Sequence, residues 1–336
     1  MPLNNLLDII FDARAKSKLE QMLAEVKDRR HLPRSFRSTG TTDDLRISVQ
    51  EAVNKGHLSL DELARLVDQI EENGGQHIFL FNRTPEGRRR LTRDNIANAF
   101  ADLPARPTAA LYAAIPSSTR TYYKPDPNLL IVKQIRPASY WERSGSWTDQ
   151  PGGERTISEH QVHRRAVNLL VINPANDEVE IRIDRVRGGK YDDLAIAYCG
   201  DFLDTLKHVL RIGEHIEPIP IWEHFNEIAR DRTDTFMNVD ASADPAVKQR
   251  MSNRREGSYG TDVRDHPDYV MDQKTYVRDF VNIFWNIDSD SGSKLIYTAL
   301  NKVEVQDHEC GKVYVSAKSE PSELEHVITR IRRFAR

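Results

Sequence analysis

The sequence of 336 residues is polar, with 29% charged and 39% hydrophobic residues and a mean hydropathy of −0.61. Its length predicts about two domains, each large enough to bury a hydrophobic core, and its composition excludes a disordered chain. The formal net charge of −3 leaves a nucleic-acid partner open, because such binding depends on where basic residues cluster.

Helical periodicity dominates the first hundred residues. Apolar residues recur at helical spacing over 6–26, and this segment ends at Pro33. A second helix is predicted from Thr42 to Gly56. The third has the clearest start, because Ser59 and Glu62 form a capping box in which each side chain satisfies the other's backbone N–H.

A different pattern follows the third helix. Asn73, Gly74 and Gly75 tolerate the positive φ of a helix end. Residues 76–81 form an apolar run that predicts a strand or extended segment packed on the helices. A further helix is predicted over 92–102, and prolines then mark a linker.

Beyond residue 128 the sequence alternates short β-branched runs with turn residues, as strands do. The predicted strands cover 129–135, 166–172, 179–186, 295–300 and 313–317. Helices are predicted over 193–212 and 322–334, and the stretch 231–272 is a polar loop or insertion.

These elements predict an α+β fold in which a helical amino-terminal bundle precedes a mixed, mainly antiparallel sheet domain with flanking helices. The predicted boundaries are 1–103 for the bundle, 104–127 for the linker and 128–336 for the sheet domain, with its insertion at about 231–272.

Cys199 and Cys310 stand far apart, which disfavours both a zinc site and a disulfide framework, and Cys199 lies among apolar residues as a buried thiol would. We expect no metal and no cofactor. The amino terminus shows no signal peptide, and no apolar run approaches the ~20 residues of a membrane span. We therefore expect an intracellular protein without membrane contact, cytoplasmic in a prokaryote or nuclear in a eukaryote.

An arginine-rich segment is the strongest charge feature. It lies at the start of a predicted helix and carries one acidic residue and five arginines. The arginines are Arg83, Arg88, Arg89, Arg90 and Arg93. The planar arginine fork suits phosphate, and a helix amino terminus adds its dipole. The alternative interpretation is a solvated surface loop.

A second basic set adjoins the predicted strands and consists of Arg164, Arg165, Arg185, Arg187 and Lys190. If the strands are neighbours, these side chains form one patch. Aromatic residues such as Tyr122, Tyr123 and Trp141 lie nearby in the chain, as on single-strand binding platforms, although such residues also serve as core.

Three carboxylates, Glu178, Glu180 and Asp184, alternate with Val and Ile. A metal-dependent nuclease gathers such groups around a divalent ion. Alternation equally predicts a strand with a charged outer face, and Arg182 stands where the expected lysine would be. No G-x-S-x-G elbow, Walker loop or dinucleotide-binding glycine motif is present, which favours a non-enzymatic protein.

The order of elements resembles the inner-kinetochore centromere protein N family. The similarity is carried by the turn Gly56-His57-Leu58-Ser59-Leu60-Asp61-Glu62-Leu63, the arginine-rich connection, the strands at 129–135 and 166–172, the helical Phe202-Leu203-Asp204-Thr205-Leu206-Lys207 and a final strand and helix over 312–334. It covers most of the chain in order but contains no diagnostic motif.

This resemblance implies a non-enzymatic protein whose helical domain and basic surface contact DNA or a nucleosome. Arg83, Arg88–Arg90 and Arg93 would touch phosphate, and 294–336 would offer a surface for a protein partner or a second copy. The composition, rich in Arg and Asp, is typical of a prokaryote, where the same architecture would serve a mobile element or anti-phage defence.

Three functions therefore stay open. The first is a DNA-binding or assembly protein without catalysis. The second is a metal-dependent nuclease or other defence effector, and the third is a protein-interaction scaffold that binds no nucleic acid.

Overall fold

The computed structural model describes most of the chain. The described residues are 3–12, 16–73, 75–101, 113, 115–149, 155–185, 191–233, 235–236, 239–240, 251–252, 280–289, 292–315 and 321–335.

The described helices, in chain order, are α1 (Leu3–Asp12), α2 (Lys16–Arg29), α3 (Thr42–Asn54), α4 (Leu60–Glu72), α5 (Pro85–Arg90), α6 (Arg93–Ala99), α7 (Tyr191–Leu210), α8 (Phe225–Arg230) and α9 (Pro321–Phe334). The described strands are β1 (Gln76–Arg83), β2 (Arg120–Pro125), β3 (Leu130–Asp149), β4 (Arg155–Asn173), β5 (Glu178–Asp184), β6 (Ile216–Pro218), β7 (Thr235–Phe236), β8 (Val239–Asp240), β9 (Met251–Ser252), β10 (Phe280–Ser289), β11 (Gly292–Val305) and β12 (His308–Val315).

These elements form two compact units, each built from separate stretches of chain. The first unit consists of Met1–Glu72, Arg93–Leu170 and Ile183–Tyr198. The second unit consists of Asn73–Thr92, Val171–Arg182 and Cys199–Arg336. Three elements, β4, β5 and α7, each contribute residues to both units.

Helices α1 to α4 bury one apolar core in the first unit, with Leu6, Leu23, Leu45 and Val67 among its fully buried side chains. Strands β2 and β3 pair antiparallel in the same unit. The helix starts are fixed locally. Glu62 N–H donates to Ser59 Oγ over 3.2 Å, and Ser59 N–H donates to Glu62 Oε2 over 2.8 Å. This confirms the predicted capping box.

The second unit is built on an antiparallel sheet in the order β5-β1-β12-β11-β10-β7, with β6 paired to β1. Strand β1 lies inside this sheet and is buried along almost its whole length. Helix α9 contributes the buried Leu324, Val327, Ile328 and Ile331 to the same core as Trp285. Helices and an antiparallel sheet together confirm the predicted α+β class.

The structure differs from the sequence prediction in several places. Strand β1, grouped with the amino-terminal helices by its position in the chain, belongs to the second unit, where it pairs antiparallel with β12 and β6. Strand β2 lies inside the predicted 104–127 linker. Strands β7 to β9 lie within the predicted 231–272 insertion, most of which falls outside the described residues, as do residues 104–112 of the predicted linker.

Both cysteines are free and buried in the second unit. Burial raises the pKa of the Cys310 thiol to about 12, and it also raises the pKa of Cys199. Cys199 is thus the buried thiol that its apolar neighbours predict. Among the helices of the described ranges, none is long and apolar enough for a membrane crossing.

Candidate nucleic-acid interface

The arginine-rich segment forms the short helix α5 directly after β1. Thr84 caps the helix, because its hydroxyl accepts a hydrogen bond from Gly87 N–H over 3.0 Å, and Pro85 supplies a fixed φ at the first helical position. Arg88, Arg89 and Arg90 occupy the last turn. Their side chains are 59%, 75% and 66% exposed.

Helix α5 is attached firmly to the segment that follows α7. Thr84 N–H donates to His215 O over 3.0 Å, and Thr84 Oγ1 donates to Glu214 O over 3.3 Å. A Cβ added at Gly87 would lie 2.0 Å from His215 O, closer than any side chain permits. The glycine therefore allows α5 to lie directly on this backbone, which fixes the direction of the three arginines.

Replacing Gly87 with alanine is expected to lower the free energy of unfolding by about 1–3 kcal/mol, the usual cost of overpacking, because a backbone carbonyl has to move. Gly200 in α7 provides the control, since an added Cβ there meets only the Gln306 side chain at 3.7 Å. Alanine at that helical position is expected to be neutral or stabilising. Urea denaturation measures both variants, and equal midpoints would contradict the close packing of α5.

Two acidic residues partly neutralise the exposed arginines. Glu86 pairs with Arg89 over 2.6 Å and with Arg90 over 2.9 Å. The hydrogen bond from Arg90 and the charges of both arginines lower the pKa of Glu86. Arg88 Nε lies 3.0 Å from Asp177 Oδ2. These are surface pairs of exposed side chains, so an external anion can approach all three guanidiniums.

Arg83 stabilises the fold and is not exposed at the surface. Its side chain is buried, pairs with Asp177 Oδ1 over 2.7 Å, and donates to the carbonyls of Pro174 and Leu91 over 2.8 and 3.4 Å. It ties the end of β1 to the turn before β5. Its charge is therefore committed within the second unit.

The remaining predicted basic residues that the structure describes lie in the first unit. Arg93 is exposed and donates to Tyr123 Oη over 3.1 Å and to the carbonyls of Asp126 and Pro127. Arg164 pairs with Asp184 over 3.5 Å, and Arg185 is half-buried. Arg187 and Lys190 lie outside the described residues.

Arg165 belongs to a buried ionic cluster of the first unit. Three cations meet three carboxylates there, and the members are Lys124, Lys133, Arg165, Asp68, Glu71 and Glu72. Arg165 Nε lies 2.5 Å from Glu71, while Lys133 Nζ lies 2.7 Å from Asp68 and 2.8 Å from Glu71. Burial alone would raise the pKa of Glu71, but the charges of Lys133 and Arg165 outweigh it and lower that pKa to about 2.

Sequence reasoning missed a further set of basic residues beside α5. Lys207 and His208 are exposed in the last turn of α7, and the exposed Arg211 directly follows that helix. The Lys207 side chain packs on Gly213, and the turn of 3-10 helix at Ile212–Glu214 contacts α5. The sequence signal that could have identified these residues is their position near the end of the helix predicted over 193–212. The contact with α5 bridges more than 120 residues and is not visible in a local pattern.

The three candidate nuclease carboxylates share one face of β5, as their alternation with buried residues predicts. Glu180 pairs with Arg182 over 2.8 Å, and Asp184 pairs with Arg164. Within the described ranges no three His, Cys, Asp or Glu side chains gather as metal ligands would. The nuclease alternative therefore gains no support from this geometry.

No protein-family model matches the sequence, and no curated protein is significantly similar to it.

Proposed function

We propose that the protein binds nucleic acid, DNA in the first place, without catalysing a reaction, and that Arg88, Arg89 and Arg90 of α5 contact the phosphates. One observation supports this most directly. Three consecutive arginines, each more than half exposed, are held on a helix whose packing on His215 fixes its position.

The chemistry of these side chains agrees with phosphate as the ligand. Each guanidinium presents five donors in a planar fork, of which only some are used by Glu86 and Asp177. A phosphate can compete with such surface pairs, since each stabilises the fold by at most about 1 kcal/mol. Lys207 and Arg211 would extend the basic surface on the same unit.

The proposed surface excludes Arg83 and Arg165, because both are buried in ion pairs of their own units. It keeps Arg88, Arg89 and Arg90 from the sequence prediction. The similarity to the centromere protein N family stays a prediction that points toward the same ligand.

The test is retardation of a duplex by the full-length protein and by the triple variant R88E/R89E/R90E. We expect the variant to bind at least tenfold more weakly at low salt. If three phosphates are contacted, the logarithm of the wild-type affinity should fall with log salt at a slope of about −2.7. The matched control is R29E/R34E/R65E, which makes the same change in net charge at exposed positions of the first unit.

Loss of binding in the α5 variant with retention in the control supports the proposal. Unchanged binding in the α5 variant overturns it, and equal loss in both variants means that net charge alone attracts DNA. Magnesium-dependent cleavage that disappears in Glu180→Gln would instead select the nuclease. A co-purifying protein with no DNA binding at any salt would select the scaffold.

A further inference from the structure

A polar cleft of about 350 Å³ opens beside α5 in the second unit. Its lining includes Asn82, Arg83, Arg88, Asn176, Asp177 and Glu217. The volume lies within the range of small-molecule sites, but the walls are charged rather than apolar. A ligand of this cleft must therefore be recognised by hydrogen bonds and charge.

Part of the lining is already committed to the fold. The buried Arg332 donates to Val179 O over 2.9 Å and to Phe81 O over 3.3 Å. Arg83 and Asp177 pair with each other, and Asp177 adopts a positive φ of 59° in the turn before β5. These groups form a fixed floor and leave recognition to the side chains around it.

Three lining side chains stay available to a ligand. Arg88 uses Nε for Asp177, so its two terminal nitrogens are left to donate. Glu217 and Asn176 are exposed and make no side-chain hydrogen bond or ion pair with any residue in the described part of the chain. Glu217 stands directly opposite Asn82 in the β1–β6 pairing, which brings both side chains to one face.

These available groups specify the chemistry of the ligand. The Arg88 fork suits an anion such as phosphate, whereas the Glu217 carboxylate only accepts hydrogen bonds and suits an amino group. A nucleotide whose base carries an amino group presents both. Guanine fits the carboxylate best, because two N–H donors lie side by side on one edge of the base.

We propose that this cleft binds a nucleotide with an amino-bearing base, guanine preferred, through Arg88 on the phosphate and Glu217 on the base. The nucleotide is either free or the unpaired end of a strand. The proposal rests on the proposed function only through Arg88, which both share.

Isothermal titration calorimetry of the full-length protein with GMP, UMP and inorganic phosphate provides the test. We expect GMP to bind at least tenfold more tightly than UMP or phosphate, since neither of those offers the amino group. Glu217→Gln should remove that preference by replacing half of the acceptor with a donor. Glu223→Gln, an exposed carboxylate outside the cleft, is the matched control and should retain it.

The outcomes separate this proposal from the previous one. Any one of four results overturns the nucleotide cleft. These are no heat with millimolar GMP, the same affinity for phosphate as for GMP, tighter binding of a free amino acid than of GMP, or an unchanged preference for GMP in Glu217→Gln. Retardation of a duplex by the Glu217→Gln variant shows whether the α5 surface binds DNA without the Glu217 carboxylate. If the wild-type protein binds GMP while the R88E/R89E/R90E variant still binds duplex DNA, the nucleotide cleft is supported and the α5 surface is overturned.

Single strands distinguish the two sources of the nucleotide. A 5′-phosphorylated strand beginning with dG that binds more tightly than one beginning with dT identifies a strand end. Equal binding of both strands alongside a GMP preference identifies a free nucleotide. Either result supports the cleft, and they differ only in its physiological ligand.

Discussion

Replacing Lys133 with methionine is expected to lower the free energy of unfolding by about 3–5 kcal/mol. Lys133 is only 1% exposed and its ammonium contacts Asp68 and Glu71 at 2.7 and 2.8 Å. Methionine fills similar space but leaves three carboxylates facing two cations. An uncompensated negative charge would then be buried in the first unit, which is the costly way to break an ion cluster.

Lys124 provides the control, because it contacts Asp68 and Glu72 of the same cluster but is a quarter exposed. Lys124→Met is expected to cost no more than about 1 kcal/mol, since water can replace the ammonium there. Urea denaturation at neutral pH measures both variants. Equal losses for the two lysines would show that burial of Lys133 is not what makes it important.

The decrease in the free energy of unfolding at acidic pH depends on the same ionic cluster. The folded pKa of Glu71 is about 2 against an ordinary value of 4.5, so its ionisation stabilises the fold above pH 4.5. That contribution is lost as the pH falls through 4.5 toward 2. Without Lys133 the folded pKa of Glu71 rises, so Lys133→Met should lose less of its remaining stability over this interval than the wild type.

Trp285→Ala is expected to lower the free energy of unfolding by about 3–5 kcal/mol through the second unit. Trp285 in β10 is among the largest fully buried side chains of the described residues, and its indole N–H donates to Thr298 Oγ1 over 2.8 Å. Alanine leaves a cavity and removes this donor. Thermal and urea unfolding followed by circular dichroism measure the loss.

Trp141 in β3 is the matched control for this large-to-small substitution. It is 60% exposed, so Trp141→Ala removes little buried surface and should change stability by less than about 0.5 kcal/mol. A similar effect of both tryptophan substitutions would contradict the assignment of Trp285 to the core of the second unit.

The sequence predicted best where the cause is local. The capping box of Ser59 and Glu62 spans four residues, and the alternation along β5 is decided by the strand itself. The α+β class follows from such elements. Strand β10 was missed, although its alternating buried residues carry the strand pattern.

The roles of the basic residues could not be predicted in the same way. Arg83 is paired with Asp177, 94 residues away, and Arg165 with Glu71 at the same separation in the chain. A run of arginines shows the charge but not which guanidinium finds a buried carboxylate. Only the tertiary structure separates Arg83 from the exposed Arg88, Arg89 and Arg90.

The position of β1 in the chain also has a consequence for synthesis on the ribosome. This strand is made early, yet its neighbour β12 follows only after residues 84–307 have been translated. At about 5–20 residues per second, that interval lasts roughly 10–45 s. During that time one edge of an apolar strand lacks its partner, so nascent chains need protection there until β12 has emerged.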